Sequence, residues 1–260
     1  MKIRALLICL LVAVASVNAV AVNQPSITWY GQSFFIVTSS TGGKITFDPY
    51  HIQDGIKYSP PSVSADLVLI SHNHFDHNNA DLLTGKHTVI KPLTKGTESG
   101  TLTIGLPDRQ VKKRRIQQIP YKFGFSSHDA SGGKERGGNT IRKISVDGVS
   151  IVHLGDLGIP LTKQQIKQIG PVDILLVPVG GKYTIDAAGA TKVIEQLKPK
   201  VAIPMHYKTP KITIPLVGVE PFVKGKKNIV EKGDTYSFTA NSLPSKTTIM
   251  VLKFKERPKS

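Results

Sequence analysis

Ser71-His72-Asn73-His74-Phe75-Asp76-His77 puts three imidazoles and a carboxylate into one short stretch of a 260-residue chain. Imidazole nitrogen and carboxylate oxygen are the donors that a catalytic zinc site takes, and a surface without metal gains nothing from crowding them together. If the stretch is extended, His72 and His74 project from the same side and grip one ion. Asp76 and His77 come where the chain turns toward a polar Asn78-Asn79 helix start, so they face another side and hold a second ion. The bland alternative is a solvated, His-rich loop. Against it stands Asp66-Leu67-Val68-Leu69-Ile70, which reads as a fully buried strand delivering its loop to a site.

The elements that must carry this loop are strand-rich. Ile27–Tyr30, Phe34–Thr38 and Lys44–Asp48 read as an opening meander, parted by Gly31 and by Thr41-Gly42-Gly43. The reading weakens from His87 to Pro120, where short apolar pieces alternate with Gly, Pro, Thr and basic residues. It recovers at Ile141–Val146 and Val149–Leu154, joined by the tight-hairpin pair Asp147-Gly148. Thr162 with Gln165 is a capping box opening a helix that Gly170-Pro171 closes. Ile174–Val179 is another buried strand. Ala190, Val193, Ile194 and Leu197 then share one helix face before Pro199, and Val201–Pro204 is a strand leading into Met205-His206-Tyr207.

Composition sets the boundaries. The hydrophobic fraction is 40%, enough for one sizeable core and no second domain. Met1-Lys2-Ile3-Arg4, an apolar run from Ala5 to Val17 and small residues at Ala19 and Ala21 read as a signal peptide over residues 1–21, with the domain at 22–260. That reading makes the protein periplasmic or secreted; an uncleaved segment is the alternative and the only membrane contact expected. The single cysteine, Cys9, falls inside the apolar run, so the mature domain has no disulfide and no thiolate for a metal. The net charge of +16 suits anionic partners. The densest basic run, Lys112-Lys113-Arg114-Arg115, lacks interleaved aromatics and reads as a solvated segment, not a nucleic-acid surface.

A His-x-His-x-Asp-His loop after a buried strand resembles the metallo-β-lactamase superfamily, and the resemblance runs from Ile27 to Thr209. It looks nearest to the branch that holds the L-ascorbate-6-phosphate lactonases and N-acyl-phosphatidylethanolamine phospholipase D. The resemblance implies an α+β fold, a four-layer αββα sandwich with metal at one edge. It implies that His128, in Ser126-Ser127-His128-Asp129, joins His72 and His74 on one metal. It also implies that Asp156, after Leu154-Gly155, bridges two metals, and that His206 completes the second with Asp76 and His77. Asp48 would prop the metal loop by hydrogen bonding. His153, on the strand leading to Asp156, reads as a core histidine; His51 and His87 carry no argument.

Two zinc ions, with manganese or iron as alternatives, would share a water of lowered pKa, and the resulting hydroxide would attack a carbonyl or phosphorus centre. Asp76 would orient it, which makes Asp76 and Asp156 the catalytic pair. The proton donor to the leaving group is open between Tyr183 and Lys208. Hydrolysis of an ester, lactone, amide or phosphodiester bond in a small, anionic substrate is the expectation. The rival is a basic, exported envelope-binding protein with a structural, non-catalytic metal. The oligomeric state is not legible in these residues.

Overall fold

Alternation along the opening strands decides the architecture. Phe35 and Val37 of β2 (Phe35–Thr38) enter one apolar cluster, while Phe34 and Ile36 enter another. Leu67 and Leu69 of β4 (Leu67–Leu69) likewise separate from Val68 and Ile70. A strand with apolar residues on both faces must be covered on both. The computed structural model describes residues 23–106 and 115–257. Within them, two mixed sheets pack face to face around the larger cluster.

The first sheet has six strands. Besides β2 and β4 it contains β1 (Ser26–Trp29), β3 (Lys44–Phe47), β5 (Thr88–Ile90) and β13 (Thr235–Ser237), in the order β13-β1-β2-β3-β4-β5. The second has eight: β6 (Thr97–Leu106), β7 (Arg115–Ser127), β8 (Gly138–Val146), β9 (Val149–His153), β10 (Ile174–Pro178), β11 (Val201–Met205), β12 (Ile229–Glu231) and β14 (Thr248–Val251). Their order is β12-β14-β11-β10-β9-β8-β7-β6. Asp147 and Gly148 both have positive φ, as the tight β8–β9 hairpin requires. Pro178 and Pro204 lie at central-strand ends, beyond the last paired residues of β9 and β14, where a missing N–H breaks no ladder.

Helices α1 (Lys163–Ile169) and α2 (Ala187–Leu197) start on side-chain caps. Thr162 and Gln165 form the reciprocal capping box, and Asp186 accepts from the Gly189 N–H. Ala190, Val193 and Leu197 are the buried face of α2, and the short α3 (Glu220–Val223) packs beside it.

The sandwich is the expected one, but its layer over the first sheet is built from loops. Tyr30, Phe34, Tyr50, Tyr58, Ile212 and Leu216 fill that side, with a single 3₁₀ turn at Ala80–Leu82. The helix expected at Asn78-Asn79 is only this turn, because Asn79 makes no side-chain cap and donates instead to the Tyr50 carbonyl. The stretch of weak periodicity from His87 to Pro120 enters β5 and the long β6–β7 hairpin, whose edge strand β6 is exposed over its first five residues and alternates only at Leu102, Ile104 and Leu106. Residues 1–21 and Lys112–Arg114 lie outside the described residues. Among the described residues, no helix is long and apolar enough to cross a membrane.

Candidate metal centre

Asp48 ends β3 with φ of 44°, an uncommon conformation for a non-glycine residue, and its carboxylate turns under the histidine loop. Oδ1 accepts the Ser71 N–H at 2.7 Å, and Oδ2 accepts the Ser71 hydroxyl at 2.5 Å and faces His77 Nδ1 at 2.8 Å. Burial pushes this carboxyl up, but His153 and His77 together hold it below the usual range. The loop it supports is not an extended strand as the alternation argument assumed; residues 71–77 run through bends and a turn. His72 and His74 converge nonetheless, with ring centroids 4.6 Å apart, and each lies 4.9 Å from the His128 ring.

Two donor groups result. His72, His74 and His128 offer ligand atoms within 4.8 Å of one another, and so do Asp76, His77, Asp156 and His206. Asp156 lies between them. Its Oδ2 is 3.0 Å from His128 Nε2, 3.2 Å from His206 Nε2 and 3.8 Å from His72 Nε2, while Oδ1 is 3.2 Å from His77 Nε2. Gly155, at φ +55°, makes the bend that brings this carboxylate inward, and a Cβ there would strike Asn139 and Ser71. A Cβ on Gly158 would enter the backbone of His128.

The polar atoms test whether metal fits. His72 Nε2, His77 Nε2, His128 Nε2 and Asp156 Oδ1 are buried and make no aligned hydrogen bond, although some lie within 3.2 Å of one another. Buried polar atoms normally find partners. Lone pairs directed at shared centres, instead of at each other, suit bound cations. The donor set is nitrogen and oxygen only, which suits zinc, manganese or iron.

Charge differs between the groups. Burial lowers the pKa of His72 well below the ordinary imidazole value, with His77 adding to it, and burial also lowers His74. Burial opposes charge on His77 and His206 too. There, Asp156 and Asp76 overcome it, raising His77 well above its ordinary value and pushing His206 up to about 9. Against their own desolvation, Asp76 and Asp156 are held far below the usual carboxylate range, chiefly by His77 and His206 respectively.

The remaining expectations separate cleanly. His153 is fully buried, donates Nε2–H to the Ser33 carbonyl at 2.9 Å, accepts the Gly155 N–H at 3.0 Å and stacks on Phe47; it is a core histidine. Tyr183 lines the cavity above the donors. Lys208 does not, because its exposed ammonium faces the Ile214 carbonyl at 3.4 Å, so its candidacy as proton donor is withdrawn.

Three supporting residues escape a sequence reading. Gln32, buried in the β1–β2 turn at φ 49°, donates to Asp76 Oδ2 at 2.9 Å and accepts the His206 N–H on its carbonyl. Asn139 accepts the Asp156 N–H at 3.0 Å. Arg142, fully buried, donates to the carbonyls of Ile70 and Lys91 at 2.5 and 2.7 Å and lies over the Phe123 ring. The only signal for Gln32 is a polar residue in the apolar run from Trp29 to Phe34.

The cavity above the donors has a volume of about 730 Å³ and reaches His74, Asp76, His128, Asp156 and His206. Residues 26–206 match the β-lactamase superfamily domain. A metal-dependent hydrolase of the UPF0173 family from Carboxydothermus hydrogenoformans is 34% identical over 70% of this chain and 84% of its own. Another from Archaeoglobus fulgidus is 32% identical over 82% of this chain and 98% of its own. A solved structure from Thermotoga maritima, described as a Zn-dependent hydrolase of the metallo-β-lactamase superfamily, superposes with a TM-score of 0.66 at 29% identity, covering 88% of this chain and 98% of that one. None of the three is named a lactonase or a phospholipase.

Proposed function

The chain belongs to the β-lactamase superfamily as a metal-dependent hydrolase, and from that premise we propose that it cleaves an ester, lactone, amide or phosphodiester bond in a small anionic substrate. Two divalent ions, zinc foremost, would be held by His72, His74 and His128 and by Asp76, His77 and His206, with Asp156 shared. The observation that carries this reading is the convergence of seven donors, six of them buried and five of them lining one open cavity.

When bound, the ions supply a water acidic enough to ionise near neutral pH and a Lewis acid for the oxygen on which charge develops. Asp156, between the two donor groups, would help hold both ions and offset part of their charge. Asp76, held by Gln32, faces the cavity and orients the attacking water by accepting its hydrogen bond. Of the two proton-donor candidates, only Tyr183 lies on the cavity wall.

Elemental analysis of protein purified without chelator, followed by a screen of lactones, thioesters and phosphodiesters, tests the proposal. Two ions per chain are expected, with hydrolysis lost on chelation and restored by zinc or manganese. Less than one ion after reconstitution sinks it. Two ions without hydrolysis of any class would put the envelope-binding reading ahead. Export is a further part of the proposal, resting on the basic start and apolar run; mass spectrometry should find a new N-terminus at Val20 or Val22, and intact Met1 in the membrane fraction would reject it.

A further inference from the structure

We propose that Arg136 is the specificity-determining residue of this cavity, where its guanidinium, stacked on Tyr183, binds a carboxylate or phosphate group on the substrate remote from the bond being cut. The inference rests on the hydrolase reading above and narrows its substrate class.

Arg136 is the single Lys or Arg among the described residues that line the cavity. Its guanidinium carbon lies 5.4 Å from the centroid of the Tyr183 ring. Stacking occupies the face of the guanidinium and leaves its N–H edge free to meet an oxyanion with two parallel hydrogen bonds. Among the described residues, the ion pairs formed by Lys or Arg are Lys200–Asp173, Lys211–Glu256 and Lys255–Asp234, so no carboxylate competes for Arg136. Glu135 also lines the cavity, and no ion pair joins it to Arg136. Phe75, Ile214 and Pro215 give the cavity an apolar wall. A substrate with an apolar middle, an oxyanion at one end and the scissile bond at the other matches these surfaces.

The backbone beneath Arg136 is fixed to the metal centre. The Asp129 carboxylate, next to His128 in sequence, accepts the N–H groups of Ser131, Gly133, Glu135 and Arg136 at 2.8–3.2 Å, and the Ser131 hydroxyl at 2.6 Å. The His128 N–H donates to the Gly137 carbonyl at 3.2 Å and closes the neck. Arg136 therefore stands at a set distance from the donors, and a reader of anions at a set distance selects substrates by length. It also lines a second cleft of about 520 Å³ on the other side of His74, where Lys91 adds another cation.

The test is calorimetric titration of the metal-loaded full chain with two matched series, α,ω-dicarboxylates from malonate to pimelate and the monocarboxylates of the same lengths. One carboxylate should go to the metals and the second, at one favoured length, to Arg136. That dicarboxylate should bind the wild type about tenfold more tightly than its monocarboxylate. Arg136→Met should lose this increment while keeping metal content, monocarboxylate affinity and the thermal transition, and Arg136→Lys should restore only part of it. A parallel series of ω-phosphonocarboxylates distinguishes the sources: a larger increment there names phosphate esters, a smaller one carboxylates, and either supports the proposal. Monocarboxylate binding with no gain from a second anion at any length, or a gain that survives Arg136→Met, overturns it. Failure of the monocarboxylates themselves to bind would count against the metal centre instead.

Discussion

The two donor groups share one carboxylate and differ in everything else. In the first group, burial holds His72 and His74 below their ordinary pKa. Asp76, His77, Asp156 and His206 form a charged cluster, in which each carboxylate raises an imidazole that is itself fully buried. The charged cluster replaces metal with its own ion pairs, so metal and protons compete there. Similar ligands in neighbouring loops thus give one centre governed by coordination and one governed also by pH.

The largest effect expected is that of Asp156→Ala, which removes the contact common to both groups. Loss of several kcal/mol of transition-state stabilisation corresponds to a fall in turnover of about 10³-fold. Stoichiometry should drop from two ions to one with the thermal transition still cooperative. Wild-type turnover in this variant would erase the distinction between the groups as parts of one catalyst.

Arg142→Met sharpens the comparison from the side of the first group. Arg142 ties the end of β4, immediately before Ser71, to β8, and its loss leaves buried carbonyls unpaired. A destabilisation of roughly 2–3 kcal/mol is expected by denaturant titration, with the weaker ion now the one on His72, His74 and His128. Gln32→Leu does the converse. It frees Asp76 and should weaken the second ion by roughly 10–100-fold while sparing the first, which metal titration reads directly.

The smallest change expected is in pH response. His206 is pushed up to about 9, so at neutral pH it carries a proton that metal must displace. Affinity of the second group should rise from pH 7 toward about 9, by up to tenfold per pH unit for each proton released, and then level. His72 and His74 of the first group are held below their ordinary pKa, so its response over that range should be flatter. Parallel slopes in potentiometric titrations of the two ions would break the contrast.

His72, His74, Asp76 and His77 were legible as candidate ligands because they crowd one loop. His128, Asp156 and His206, each after a strand, entered the reading only through the family resemblance. Strands β1 to β4 of the first sheet were equally legible, since Phe34 to Val37 and Leu67 to Ile70 carry their burial pattern openly, whereas its edge strands β5 and β13 were not. Gln32, Asn139 and Arg142 could not be read, because their roles depend on partners brought close only by folding. Gln32 meets Asp76 across 44 residues, and Arg142 meets Ile70 across 72. The β6–β7 hairpin was obscure for another reason: the first half of β6 is an exposed edge with no core to impose an apolar alternation.

The neck of the Asp129–Gly137 loop is closed. Its two ends are joined by the hydrogen bond from His128 to Gly137, and the next residues run directly into β8. Within it, Lys134 is exposed and gives Asp129 no N–H, so exchanging it would change the tip without disturbing the bonds that tie the loop to the histidine at its root. The surface that the loop presents can therefore be altered at that position separately from the donors beneath it.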